Sequence, residues 1–140
     1  MSEKEPMSEY RKEWMLTILK LAHSRASRLD EVLRLTREIG DSLSRNDQVS
    51  VEMLLKMRGE ELEAIAMNTQ EAQAFKMQLR RETQQEINKL LEGKVTDAQD
   101  DMASKIVETI NRCQRLLEEI RIIDERMSKR IAGEDSFYEK

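Results

Sequence analysis

Residues 29–58 read LDEVLRLTREIGDSLSRNDQVSVEMLLKMR. At 100° per residue, Leu29, Val32, Leu33, Thr36, Ile39 and Leu43 fall on one helix face. The polar run Ser44-Arg45-Asn46-Asp47 interrupts that face. Asp47 or Ser50 can then cap a second helix, whose stripe opens with Val51, Leu54 and Leu55. A link this short forces the two helices to lie side by side in opposite directions.

Upstream, Ile18, Leu21 and Ala22 continue the first stripe, which predicts a helix from about residue 8 to 44. Downstream, Leu62, Ile65, Thr69, Ala72, Leu79, Thr83, Ile87 and Leu90 continue the second. With no Gly or Pro near Asn68-Thr69, the pattern predicts one helix over 47–92; a break at Asn68-Thr69 is the alternative. Gly93 ends it, because a left-handed cap favours glycine. In this reading Leu62 is core, and its truncation costs about 2–5 kcal/mol.

A third helix is predicted over 96–132. Thr96-Asp97-Ala98-Gln99 reads as a capping box, Asp97, Asp100 and Asp101 suit the positive end, and Lys129 and Arg130 suit the negative one. Its stripe is Met102, Ala103, Ile106, Ile110, Cys113, Leu117, Ile120, Met127 and Ile131, widened by Leu116 and Ile123, with Ile122 pointing away. Gly133 is the expected stop, and residues 134–140 a frayed tail. Helices one and three are each about 55 Å long at 1.5 Å per residue. The expected fold is all-α: one domain over residues 1–140, an elongated antiparallel three-helix bundle with coiled-coil-like packing.

Composition agrees. Of 140 residues, 39% are hydrophobic and 37% charged, with four Gly and one Pro, too few turn formers for a sandwich or an α/β fold. The net charge of −4 provides no basic field for nucleic acid. No apolar run approaches the roughly 20 residues of a membrane span, and the first residues carry no signal-peptide core. One cysteine allows no intramolecular disulfide and fits a reducing compartment, so a cytoplasmic location is expected.

The sequence offers little to catalysis. His23 is the single histidine and reads as a boundary residue beside the stripe. Cys113, at the centre of the third stripe, reads as a small core hydrophobe. Neither a phosphate loop nor a metal-ligand or nucleophile motif occurs, so no enzyme, cofactor or metal is expected. Arg58 and Asp124 interrupt the stripes, and a charge in a seam needs a partner, which the other helix can supply. Nine methionines outnumber the five aromatic residues. Met53, Met57, Ala64, Met67 and Phe75 lie roughly opposite the leucines of helix two; that face suits either a second neighbour in the bundle or an adaptable binding surface.

The stretch 29–58 also resembles the helix–turn–helix of bacterial flagellar export chaperones of the FlgN/FliT type. The matching positions are Leu33, Leu35-Thr36, Ile39, Leu43, Asp47, Leu54-Leu55, Arg58, Glu61 and Ile65, with Lys105–Ile110 similar to the closing helix. The layout spans most of residues 10–132. The closing helix lacks an Asn-rich segment, Asn111 being its one asparagine. The resemblance implies a cytoplasmic chaperone that holds the helical terminal segment of a hook-associated or filament-cap subunit before type III export. It points to the C-terminal part for partner binding, to Ile110, Leu117, Ile120, Ile123 and Met127; the breadth of the third stripe adds Leu116 and Ile122, and the second face of helix two adds Met53, Met57 and Phe75. The other reading of the same stripes is a structural coiled-coil dimerisation or adaptor module.

Overall fold

The computed structural model describes residues 8–93 and 100–138. Among these the chain is all-α, in four helices: α1 (Glu9–Ser44), α2 (Gln48–Met77), α3 (Arg81–Leu91) and α4 (Asp101–Tyr138). The capping box expected at Thr96–Gln99 lies outside the described residues.

The first turn is as expected. Asn46 takes a left-handed conformation (φ 57°), which asparagine tolerates. The Asp47 carboxylate accepts the Ser50 N–H at 3.1 Å and the Ser50 hydroxyl at 2.6 Å. α1 and α2 then run antiparallel. Asn68 donates to the Leu21 carbonyl at 3.0 Å, Arg28 meets Glu61 at 3.0 Å, and Arg58 donates to Thr36 at 3.2 Å.

α2 is continuous through Asn68-Thr69, because both side chains are satisfied without leaving the helix. Asn68 turns inward to α1; the Thr69 hydroxyl donates to the Ile65 carbonyl at 3.1 Å and accepts from Arg25 at 2.7 Å. The single helix expected over 47–92 nevertheless breaks ten residues later, at Gln78–Arg80. The N–H groups of Gln78 and Leu79 tighten onto the carbonyls of Phe75 and Lys76. Tyr10 of α1 takes over from there: its hydroxyl accepts the Arg80 N–H at 3.2 Å and donates to Thr83 at 3.1 Å. The Arg80 guanidinium lies 4.4 Å from the Tyr10 ring centroid. The bundle is therefore not the three-helix one expected, and its fourth helix comes from this break.

Beyond the break the chain doubles back. Glu86 meets Arg11 near the start of α1, whereas Gly93 lies against Asn111, well along α4. α3 thus runs beside the first third of α4 in the same direction. Gly93 ends it at φ +81°, as its sequence predicted. Asp100 opens α4 by accepting the Ala103 N–H at 3.1 Å. α4 runs parallel to α1, as Arg37–Glu119 at 2.6 Å and Arg130–Ser44 at 3.1 Å show. It passes Gly133, the expected stop, and ends at Tyr138.

α1 is the spine of the molecule. Trp14, Met15 and Ile18 pack with Ile87 and Leu90 of α3 and Ala103, Ile106 and Val107 of α4. Ala26, Leu29, Val32 and Leu33 pack with Ile65, Cys113, Leu116 and Ile120. Leu35 and Ile39 pack with Leu54. α2 buries Leu54, Ile65 and Asn68 and little else. Leu55 and Leu62, read from sequence as core, are exposed. The stripe spans two faces of α2, and only the face around Leu54 and Ile65 meets α1.

Candidate partner-binding groove

Two helices packed face to face sit 8–10 Å apart, axis to axis. α1 packs in this way against both α2 and α4, but among the described residues no Cα of α2 comes within 8 Å of one in α4. A groove therefore runs between α2 and α4, with α1 as its floor. Ile87 and Leu91 of α3 enter its base. Above them lies an apolar cleft of about 280 Å³. Ile18, Leu21 and Ala22 form its floor, and Ala72, Ile110 and Leu117 belong to its walls.

Helical spacing shows what lines the walls higher up. On α2, Leu55, Leu62 and Thr69 recur every seven residues, and Thr69 lines the cleft. On α4, Ile110, Leu117, Asp124 and Ile131 recur at the same interval. Seven-residue lines of this sort form the seam when two helices close on each other. Here the seam stays open: Leu55 is 45% exposed, Leu62 46% and Leu117 43%. At the far end Val51 of α2 and Ile131 of α4 flank a second depression floored by Gly40 and Leu43.

One ion pair crosses the groove at mid-height. Arg58 of α2 meets Asp124 of α4 at 2.8 Å and Thr36 of α1 at 3.2 Å. The Thr36 hydroxyl, fully buried, donates in turn to the Val32 carbonyl at 2.6 Å. The two charges that interrupt the stripes thus partner each other. A second polar junction closes the base. Arg11 binds Glu86 at 2.5 Å and Asp100 at 2.7 Å, tying α1 to α3 and α4. Burial pushes the Asp100 carboxyl up, but the Ala103 N–H and the Arg11 guanidinium outweigh it and hold the group below its ordinary value.

The residues expected to bind a partner do not form one surface. Leu116 and Ile120 are buried against α1, and Ile123 packs on the same cluster. Met127 packs against the Leu35–Ile39–Leu54 cluster. Phe75 packs against the basal cluster. Ile110 and Leu117 line the cleft. Ile122, half-buried, lies in a shallow depression on the outer side of α4 with Glu118 and Glu119. Met53 and Met57 are exposed on the opposite side of α2. Leu55 and Leu62 were missed because a periodic leucine reads the same whether a neighbour covers it or not.

Cys113 lines the cleft but is sealed in the core, and burial pushes its thiol up. His23 is exposed on α1. Among the described residues, no three His, Cys, Asp or Glu side chains gather as a metal site requires, and no helix is long and apolar enough to cross a membrane. Set against known proteins, the chain matches no family model, no curated protein and no solved structure.

Proposed function

We propose that the protein holds an amphipathic helix of a protein partner in the groove between α2 and α4. The observation that carries this reading is the open seam: two helices bear facing seven-residue lines, yet stand too far apart to close on each other. A third helix laid between them supplies the missing side of both. Each half-exposed leucine it covers contributes about 1 kcal/mol, and the apolar cleft at the base accepts a large side chain as an anchor. Nothing catalytic is asked of His23 or Cys113. The resemblance of residues 29–58 to flagellar export chaperones names the partner in this proposal. It is the terminal helical segment of a hook-associated or filament-cap subunit, held in the cytoplasm before export.

The same lines also suit a second copy of the chain, which is the adaptor reading. Stoichiometry separates the two. Sedimentation of the protein alone shows a monomer if the groove awaits a client, and a concentration-dependent dimer if the groove is a self-association seam. With client peptide, the double substitution Leu62→Ser/Leu117→Ser reduces affinity at least tenfold while helicity is unchanged. Unaltered affinity in that variant contradicts the site.

A further inference from the structure

A second exposed stripe lies on the side of α2 away from the groove. Val49, Met53, Met57, Glu60, Ala64, Met67 and Glu71 follow one another at three- and four-residue steps. Together they span about 33 Å of helix at 1.5 Å per residue. Met53 is 58% exposed and Met67 65%. Many surface charges are paired: Arg28 with Glu61, Arg34 with Glu31 and Glu38, Arg37 with Glu119, and Arg121 with Glu118 and Glu125. The outward carboxylates of α2 are not. Among the described residues, Glu52, Glu60, Glu63 and Glu71 are exposed and make no ion pair, and Lys56 is the one cation among them. Asp41, Arg45 and the Arg34-paired Glu38 border the same strip where they share a depression with Met53.

Methionines are flexible and polarisable, and so adapt to side chains of different shape. Unpaired carboxylates around them attract positive charge and repel negative charge. We propose that this face of α2 is a second docking surface, separate from the groove, and that its occupant is a cationic amphipathic helix of a protein partner. The methionines receive the apolar side of that helix, and the carboxylates of α2 meet the lysines and arginines beside it. The surface does not depend on the groove being occupied.

The test uses two 18-residue helical peptides of equal apolar face, one of leucine and lysine and one of leucine and glutamate. Fluorescence anisotropy follows their binding to the full-length chain. The Leu/Lys peptide binds saturably at one to one, the Leu/Glu peptide does not, and binding weakens in 0.5 M salt. Met53→Gln/Met67→Gln and Glu60→Gln/Glu71→Gln each weaken it at least tenfold with helicity unchanged, whereas Leu117→Ser in the groove leaves it intact. Three results overturn the proposal. Equal binding to the methionine variant reduces it to general charge attraction. Loss in the Leu117 variant assigns the peptide to the groove. A dimer abolished by the methionine substitutions makes the occupant a second copy.

Discussion

Ile106 and Leu62 are aliphatic residues of similar size on stripes of similar regularity, and their truncation should have different consequences. Ile106 is fully buried among Trp14, Met15 and Ile87, so Ile106→Ala removes packed contacts and costs about 2–5 kcal/mol. Leu62 is nearly half exposed, so Leu62→Ala costs about 1 kcal/mol or less. Urea unfolding of the two variants checks the ordering; an equal loss from both places Leu62 in a sealed core and removes the groove. Cys113 was legible from the sequence as a core residue. Arg58 and Asp124 were legible as charges that needed partners, because burial makes an isolated charge costly whatever the fold. Their pairing is not a major source of stability. Asp124 is 41% exposed, and solvent screening limits the double-mutant coupling to about 1 kcal/mol. Its position matters more, since it holds two otherwise separate helices in register.

At the scale of elements, caps were readable and the break was not. Asp47 and Gly93 act through their own backbone neighbourhood, so local sequence suffices to find them. The turn at Gln78–Arg80 has no Gly, Pro or capping side chain; Arg80, its N-cap residue, makes no side-chain cap bond. What stops α2 is Tyr10, 70 residues away. Tyr10→Phe therefore removes the acceptor of the Arg80 N–H and a hydrogen bond to Thr83, at a cost of about 0.5–1.5 kcal/mol. Hydrogen exchange should show faster exchange at Arg80 and its neighbours, while exchange at Val32–Ile39 is unchanged. At Gly93 a Cβ would sit 2.5 Å from the Asn111 Oδ1 in a backbone conformation that L-residues resist. Gly93→Ala should cost more than about 1 kcal/mol in thermal unfolding.

The base of the bundle also sets its response to acid. The folded-state pKa of Asp100 is depressed, so its contribution is complete above the ordinary carboxylate value near ~3.9 and is lost as pH falls through the folded value. Acid should therefore release α4 from Arg11 below about pH 4. Asp100→Asn should flatten that part of the stability–pH curve while leaving the region above pH 6 parallel to the parent. A curve of unchanged shape contradicts the assignment.

Across the whole molecule, what matters is which helices touch. Periodicity showed that the chain is helical and roughly where each apolar stripe lies, because a buried face must repeat with the helix. It did not show that α1 alone serves as the spine, nor that α3 folds back to pack against α2 and α4 at the base. Those features depend on contacts between residues distant in sequence, such as Arg11 with Glu86 and Asp100. The result is a bundle with one seam left open, and the functional proposal rests on that seam. Calorimetric titration of the full-length protein with C-terminal helical peptides of flagellar hook-associated and filament-cap subunits tests it most directly. The account predicts saturable one-to-one binding to one such peptide, weakened at least tenfold by Leu62→Ser/Leu117→Ser. Absence of heat with every peptide, from a protein that is folded and monomeric, contradicts the export-chaperone assignment; binding that ignores the two leucine substitutions contradicts the groove.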